Sequence, residues 1–335
     1  MSKIRIKSPG MLSTIQDRGR IGYQQYGVPV SGAADIYSLQ LANVLVGNSR
    51  YEGCLEMTMN GATIEFLSKS AIAITGADMS PTLNGQPIQL YKTVFAEACD
   101  ILEMNVALSG FRSYLAIAGG FAVDEIMDSK STYLKGGFGG FKGRKLEKDD
   151  EIITNPSDFN QIRMIPREMI PSYSDSGVIS VIMGTEEDYF LEESIERFLN
   201  SQFKITDLSD RMGIRLDGPA LTHKGSADIL SSGISEGTIQ VPKNGKPIIM
   251  MSDRQTTGGY TRIANVISTD IPKLAQMKPG NTVVFQKITL PEAHNRIRSQ
   301  EEKLHALRNM IQNPIRTFRV SVNGVLYEVE IEETL

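Results

Sequence analysis

The sequence predicts a mainly β fold with some α-helix, and three features lead to that prediction. Short apolar runs bounded by turn residues, such as residues 63–66, 71–74 and 248–251, are typical of buried strands. Asn-Gly pairs at 60–61 and 84–85 are strong hairpin signals. Helical spacing is confined to a few segments. Closely spaced short strands with such turns favour barrels or sandwiches over alternating strand–helix units.

The first half of the chain contains most of the predicted strands. Ser31 or Asp35 is expected to cap a helix over residues 36–46, where apolar residues keep helical spacing. We assign residues 1–155 to a first domain and residues 156–176, which are rich in proline and serine, to a connection. The strands predicted in this domain cover residues 4–6, 55–59, 63–66, 71–74, 111–118 and 149–153.

The second half is assigned to a domain at residues 177–290, followed by a helix and a hairpin at 291–335. An alternating pattern over residues 317–331 predicts the hairpin. Strands are predicted at residues 178–183, 203–205, 248–251 and 282–285, and helices at 186–199, 263–275 and 292–310.

Composition narrows the class of protein. The chain has 335 residues, enough for two cores, and a net charge of -4 with scattered basic residues. That balance argues against nucleic acid or an anionic membrane as a partner. The N-terminus is too polar for a signal peptide, and no apolar run approaches the roughly 20 residues of a membrane span. We therefore expect a cytoplasmic protein that does not enter a membrane.

Cysteines and histidines give no sign of a metal site. Cys54 and Cys99 lack metal-ligand spacing, and the three histidines are scattered. The two cysteines could form one disulfide, but nothing indicates an oxidising compartment. No histidine lies in a dense polar block, so acid–base chemistry would fall to carboxylates, lysine or tyrosine.

The densest polar block follows the apolar run at 248–251. Residues 253–260 combine an acid, a base, an amide, hydroxyls and two glycines. Such a block suits close approach to a polar ligand, although a plain polar loop with turn glycines explains the composition equally well. Arg211 and Arg215 lie four residues apart among acids, so they either bind a carboxylate or phosphate or form structural ion pairs. Similarly, Asp17 and Arg20 form either a local ion pair or part of a site.

Two further segments have open interpretations. Glu56 lies in a predicted strand, where the alternating pattern slightly favours a solvent-facing residue over a site residue. The glycine-rich segment 136–144 carries two aromatic and two basic residues. It could cradle phosphate, but it lacks the Gly-Lys-Ser/Thr ending of a Walker A loop, and a flexible lid or a packing loop is at least as good an interpretation.

Several of these blocks resemble the motifs of one family. The segments are Thr-Ile-Gln-Asp-x-Gly-Arg at 14–20, Gly-Val-x-x-Ser-Gly-Ala-x-Asp at 27–35, Asp-Arg-Met-Gly-x-Arg-Leu-x-Gly at 210–218 and the block at 253–260. In these motifs the chain is similar to the family of the 5-oxoprolinase C subunit, also called allophanate hydrolase subunit 2 or biotin-dependent carboxyltransferase-like. Lys130 departs from it, because the family has arginine there, and lysine cannot bind an anion in the same bidentate way.

The resemblance implies two related cyclophilin-like β-barrel domains and a subunit of an ATP-dependent 5-oxoprolinase. That enzyme opens the lactam of 5-oxoproline to L-glutamate, with ATP as a substrate and subunits A and B as partners, so activity is expected only in the complex. The tail resembles the opening hairpin of a biotin carrier domain. The chain lacks the Ala-Met-Lys-Met-like biotinylation segment, so no covalent biotin is expected.

Two other roles occur in the family. One is transfer of a carboxyl group from carboxybiotin to urea or another small amide, and the other is regulatory binding to a partner. Under each role we expect a polar site built from loops of both halves, with acid and base unassigned and no metal. The candidate site residues are Gln16, Asp17, Arg20, Ser31, Asp35, Glu56, Arg112, Tyr114, Arg211, Arg215, Gln240, Asp253, Arg254, Gln255, Thr256, Thr257 and Tyr260.

Overall fold

The computed structural model describes residues 2–312, 316–323 and 325–331, and the predicted mainly β class is confirmed. One helix, α1 (Ile36–Leu45), interrupts the strands of the first half. Those strands are β1 Ser2–Ser8, β2 Leu12–Gln16, β3 Cys54–Thr58, β4 Thr63–Phe66, β5 Ser70–Asp78, β6 Thr82–Leu83, β7 Gln86–Pro87, β8 Thr93–Ala96, β9 Ile101–Glu103, β10 Ser109–Ile117 and β11 Glu151–Thr154.

The strands of the first half form two sheets around one apolar core. One sheet has the order β11-β1-β4-β9-β6-β7 and the other β2-β3-β10-β5-β8. The hairpin predicted at residues 84–85 is confirmed, since it joins the paired strands β6 and β7. The hairpin predicted at residues 60–61 is wrong. There the chain crosses from β3 in one sheet to β4 in the other. The apolar side chains of both strands then pack into the one core between the two sheets.

Helix α1 begins at the predicted cap. The Asp35 carboxylate accepts a hydrogen bond from the backbone N–H of Ser38 at 2.9 Å, which satisfies a donor of the first turn. The buried side of the helix, including Leu39, packs with Tyr114 and Ala116 of β10. The helix therefore covers part of the five-stranded sheet on the side opposite the first core.

Seven strands of the second half close into a barrel, in the order β12-β19-β16-β17-β14-β13-β20. Strands β15 and β18 pair with each other as a two-stranded ribbon. The strands are β12 Ser176–Met183, β13 Gln202–Ile205, β14 Gly213–Asp217, β15 Asp228–Gly233, β16 Thr238–Gln240, β17 Ile248–Met250, β18 Thr257–Tyr260, β19 Arg262–Val266 and β20 Thr282–Lys287, and the helices are α2 Glu192–Asn200, α3 Ile271–Ala275 and α4 Leu290–Gln312.

Two helix predictions in the second half need correction. The helix expected at 186–199 begins only at Glu192, after a single 3-10 turn. The helix expected at 263–275 is largely wrong, because its first residues form strand β19 and only Ile271–Ala275 are α-helical. Ile263, Ala264 and Val266 are buried in the barrel core, and β-branched residues suit a strand that closes a barrel.

Helix α4 begins earlier than predicted, at a capping box. The Thr289 N–H donates to Glu292 at 2.7 Å, and the Glu292 N–H reaches back to the Thr289 hydroxyl at 3.4 Å. The predicted tail hairpin is confirmed as strands β21 (Arg316–Val322) and β22 (Val325–Ile331), which pair antiparallel. The remaining tail residues, 313–315, 324 and 332–335, lie outside the described ranges. The domain boundaries stay a prediction.

No helix in the described ranges is long and apolar enough to cross a membrane. Both cysteines are free thiols, with Cys54 buried and Cys99 exposed. The connection between the two halves, at 156–176, contains one 3-10 turn, Arg167–Met169.

Candidate functional site

A row of polar residues crosses the five-stranded sheet on the face that points away from the first core. Thr14, Glu56 and Tyr114 lie opposite one another on β2, β3 and β10. All three are buried, and Glu56 is only 2% exposed. The interpretation of Glu56 as a solvent-facing residue is therefore wrong. The face is buried because loops from both halves and helix α1 cover it.

Arg211, from the loop before β14, connects this row to the second half. Its Nη1 donates to Glu56, and its Nη2 donates to the Gly32 carbonyl at 2.6 Å. It also holds Asp253 through two bonds, Nε–Oδ2 at 2.9 Å and Nη2–Oδ1 at 3.1 Å. Tyr114 Oη donates to the second oxygen of Glu56 at 2.8 Å. Four predicted site residues thus form one buried network between the halves.

The charges of this network balance. Arg112 Nε lies 3.9 Å from Glu56, so two guanidinium groups face the carboxylates of Glu56 and Asp253. Burial alone would raise the pKa of Glu56, but Arg211 and Arg112 outweigh it and hold that pKa below its ordinary value. Burial opposes the charge on Arg211 as well, yet Asp253 and Glu56 raise its pKa overall. Both shifts favour the charged forms of Glu56 and Arg211 at neutral pH.

The pH dependence of stability should report on Glu56. A lowered pKa in the folded state adds stability above the unfolded pKa, and this contribution is lost as the pH falls through the folded pKa. We expect Glu56→Gln to destabilise the protein at pH 7, and the difference from wild type to shrink as the pH falls below about 4. Urea unfolding of both proteins between pH 7 and pH 3 measures this. A difference that stays constant over the range would contradict the assignment.

Gln276 forms a second bridge between the halves, and it was missed in the sequence. Its Nε2 donates to Asp35 at 2.7 Å and to the Arg112 carbonyl at 2.8 Å, while its Oε1 accepts from the N–H groups of Phe111 and Arg112. Burial raises the pKa of Asp35, although Gln276 and Ser38 partly oppose that change. The only local signal for Gln276 is an amide side chain within an apolar segment.

Asp17 organises the segment 129–132. Its carboxylate accepts from the Lys130 N–H and the Ser129 hydroxyl, each at 2.7 Å, and from the Ser131 hydroxyl. The Lys130 ammonium pairs with Glu52 at 2.5 Å and is thus engaged inside the protein. The two serines flank the position where this chain departs from the family motif. The predicted Asp17–Arg20 pair is absent from the described ion pairs, because Asp17 binds this segment instead.

Arg20 stands out among the buried residues. Its Nη2 donates to the Ser131 carbonyl and its guanidinium lies 4.8 Å above the ring of Phe138, but its Nε and Nη1 have no partner in the described part of the chain. Burial lowers its pKa, while Asp17 and Asp253 oppose that change. Burying a cation with two unpaired N–H donors costs free energy. An anionic ligand that accepts hydrogen bonds from these donors would offset that cost.

Two neighbours of Arg20 also carry unused polar atoms. The side-chain amide of Gln16 donates to the Thr132 carbonyl at 3.1 Å, and the neighbouring carbonyl in the chain is the one that Arg20 binds. The Oε1 atom of Gln16 has no partner in the described residues. Ser31 has an unpartnered buried hydroxyl and a strained φ of 56°, and its N–H donates to the Ser252 carbonyl at 3.0 Å. Strained backbone of this kind is typical of functional positions.

The glycine-rich segment packs over Arg20. Phe138 supplies the ring beneath the guanidinium, and a β-carbon at Gly139, where φ is 75°, would collide with Nη2 of Arg20. Phe141 packs against the first core, and Arg144 pairs with Asp150 at 2.7 Å. The segment is thus a packing loop that encloses Arg20, which is one of the interpretations considered from the sequence.

In the block at 253–260 the first two residues are buried, and the last four form strand β18 of the two-stranded ribbon. Asp253 and Arg254 are buried, and Arg254 donates to the carbonyls of Met251 at 3.2 Å and Ile234 at 3.4 Å. Burial lowers the pKa of Arg254, while Glu236 and Asp253 oppose that change. Glu236, which accepts from Ser252 at 3.0 Å, is a further residue that the sequence did not single out.

The remaining candidates lie farther out. Gln255 and Thr256 are half-buried, and Thr257 and Tyr260 are exposed on β18. Gln240 is buried, and its side-chain amide donates to the Tyr260 carbonyl at 3.4 Å. Arg215 is exposed on β14 and does not converge with Arg211, which precedes the strand. The arrangement therefore consists of a buried ion-pair network, an enclosed arginine with unused donors and a flanking ribbon. Among the described residues, no cluster of His, Cys, Asp or Glu could hold a metal ion.

Comparison with known proteins identifies the family. The chain is 35% identical over 310 residues to the C subunit of 5-oxoprolinase from Escherichia coli, and the match covers 92% of this chain and 99% of that protein. The 5-oxoprolinase C subunit of Haemophilus influenzae is 35% identical over 301 residues, covering 89% of this chain and 96% of that protein.

A solved structure shares the fold. The Kluyveromyces lactis urea amidolyase superposes with a TM-score of 0.86 at 31% identity, over 91% of this chain and 20% of that much longer chain. The profile of the carboxyltransferase domain, subdomain A and B, matches residues 26–287. The chain therefore belongs to the carboxyltransferase-domain family that includes the 5-oxoprolinase C subunits.

Proposed function

We propose that this chain is the C subunit of an ATP-dependent 5-oxoprolinase, which opens the lactam of 5-oxoproline to L-glutamate together with subunits A and B. One observation carries the proposal. The chain covers 99% of the E. coli 5-oxoprolinase C subunit but only 20% of the K. lactis urea amidolyase. A reaction that consumes ATP also fits the cytoplasmic location expected from the sequence.

The substrate chemistry matches the unused polar atoms around Arg20. 5-Oxoproline offers a carboxylate and a lactam carbonyl as acceptors and one N–H as a donor. Arg20 has two free donors, Gln16 has a free amide oxygen, and Ser31 has a free hydroxyl in the part of the chain that the structure describes. Arg20 would bind the carboxylate or the activated carbonyl, and Gln16 would accept the lactam N–H. Burial strengthens these contacts because little water competes for them.

ATP would supply the chemical driving force by phosphorylating the lactam oxygen, with release of ADP. Water would then attack the carbonyl carbon, and the ring C–N bond would break as the nitrogen takes up a proton. The acyl phosphate formed in this way would be hydrolysed by a second water to L-glutamate and inorganic phosphate. This sequence builds negative charge next to the carbonyl. Arg20 offsets that charge, and Arg254, which lies in the same block as Asp253, is the second buried arginine available for it. The Arg211 network does not contact substrate in this account. It positions the loops of both halves around Arg20.

Loss of the gene tests the role in cells. Deleting it in the source organism should make 5-oxoproline accumulate and abolish growth on 5-oxoproline as the nitrogen source. Re-expression of the wild-type chain should restore both, whereas a chain carrying Arg20→Met should not. Unchanged 5-oxoproline levels after deletion would contradict the proposal.

The carboxyltransferase role is the second candidate, and the TM-score of 0.86 to urea amidolyase favours it. Under that role the chain takes the carboxyl group from carboxybiotin that a biotin carrier domain presents to it. The purified chain would then transfer a carboxyl group from a carboxylated biotin carrier to urea or a similar small amide. Transfer in that assay, together with no glutamate formation from 5-oxoproline, would replace the leading proposal.

A further inference from the structure

A cleft of about 560 Å³, whose lining does not include Arg20, lies where the first half, the connection, the second half and helix α4 meet. Small-molecule sites commonly have volumes of about 300–1,000 Å³. Tyr37, Tyr173 and Met277 contribute apolar surface to its lining, and Lys273, Arg296 and Lys303 contribute positive charge. None of the motifs noted in the sequence accounts for this combination.

Two of the three cations in the cleft lining form no ion pair in the described part of the chain. Lys273 pairs with Asp270 at 2.8 Å. In the described part of the chain, neither Arg296 nor Lys303 has a carboxylate within ion-pair distance, and the one hydrogen bond of the Arg296 guanidinium goes to the Ser180 hydroxyl at 2.6 Å. The other acid of the lining, Asp35, has both oxygens occupied by Ser38 and Gln276.

Helix α4 presents two of its cationic residues on the face that lines the cleft. Arg296, Ser299, Gln300 and Lys303 have the spacing i, i+3, i+4 and i+7, and all four line the cleft. Contacts outside this face hold the helix in place. Glu301 forms an ion pair with Arg50 through two hydrogen bonds of 2.5 and 2.7 Å. Its Leu304 and Leu307 are buried against the core beneath α1. This wall of the cleft is therefore preformed.

The remaining lining is suited to a flat apolar group. The Tyr37 hydroxyl donates to the Met169 carbonyl at 3.2 Å, and the Tyr173 hydroxyl lies 3.2 Å from that of Tyr91. The polar ends of both rings are thus occupied inside the protein. Thr269, also in the lining, has a buried hydroxyl without a partner in the described residues, which a polar group of a ligand would satisfy.

We propose that this cleft binds a nucleoside polyphosphate, with the base against Tyr37 and Met277 and the phosphates against Arg296, Lys303 and Lys273. Two cations without an ion-pair partner in the described residues favour a polyanion over the single carboxylate of 5-oxoproline. The proposal rests on the proposed function only for the identity of the nucleotide, which would be the ATP that the complex consumes.

Calorimetric titration of the isolated full chain with Mg-ATP tests the site without requiring turnover. We expect saturable binding, and the double variant Arg296→Gln/Lys303→Gln should weaken it at least tenfold. The matched control is Arg298→Gln/Arg308→Gln, which removes the same charge from exposed positions of α4 outside the cleft lining and should change affinity less than twofold. Thermal unfolding of both variants verifies that α4 remains folded.

Three results would overturn the proposal: no binding of Mg-ATP, equal weakening in both variants, or equally tight binding of inorganic phosphate or 5-oxoproline. The outcome is separable from that of the proposed function. Nucleotide binding without 5-oxoproline turnover in the complex would leave the cleft assigned and remove the 5-oxoprolinase role. Turnover by the complex without nucleotide binding in this cleft would leave the 5-oxoprolinase role in place and remove the assignment of the cleft.

Discussion

Replacing Arg211 with methionine should lower the free energy of unfolding by about 3–5 kcal/mol, because it leaves buried carboxylates without their partner. Arg211 contacts Glu56 and Asp253, and the three residues are between 2% and 6% exposed. Urea unfolding at pH 7 measures the change. We expect the loss to be partly recovered when Glu56→Gln and Asp253→Asn are added, since the buried negative charges are then removed.

Arg215→Met is the matched control for this substitution. It lies in the same motif, four residues later, but its side chain is exposed on β14. We expect a change within about 0.5 kcal/mol, as for most surface positions. Equal losses for Arg211→Met and Arg215→Met would show that the network does not join the two halves.

Arg20→Met should reduce kcat/KM of the reconstituted complex for 5-oxoproline by about 10²–10³, the effect of removing one donor that stabilises a developing anion. The stability cost should stay below about 1.5 kcal/mol, because two of the guanidinium nitrogens make no hydrogen bond in the described structure. Methionine retains much of the packing against Phe138. The variant therefore separates function from folding, whereas Arg211→Met affects both.

Arg18→Met is the control for Arg20→Met. Arg18 lies in the same motif, two residues earlier, and is exposed. Turnover should stay within twofold of wild type. An Arg20→Met complex with wild-type turnover, or a similar loss in both variants, would exclude Arg20 as the anion-binding residue.

Local patterns were sufficient to predict slightly more than half of the described strands and the helix cap. The strand at 63–66, the hairpin at 84–85 and the Asp35 cap depend on neighbouring residues, and the structure contains all three. Strand β19 was misassigned because its apolar spacing also fits a helix, and only closure of the barrel decides between them. Tertiary pairing overrides local periodicity at such positions.

The site was only partly accessible from the sequence. Motif blocks identified Arg20, Arg211 and Asp253, and structural ion pairing was one of the two interpretations of Arg211 and Arg215. The sequence did not indicate that Arg211 would be buried in such pairs while Arg215 stays exposed. Glu56 looked like a surface residue because the second half, more than 150 residues away in the chain, covers its sheet. Gln276 bridges the halves over an even longer stretch of chain. Long-range burial of this kind leaves no local pattern.

The most direct test of the central claim is ATP hydrolysis by this chain mixed with subunits A and B, with and without 5-oxoproline. We predict ADP and L-glutamate in equal amounts only when all three proteins and 5-oxoproline are present. The Arg18→Met chain should behave like wild type in this mixture, and the Arg20→Met chain should not. Glutamate formation at the same rate when this chain is omitted, or ATP hydrolysis that 5-oxoproline does not stimulate, would contradict the assignment as a 5-oxoprolinase subunit.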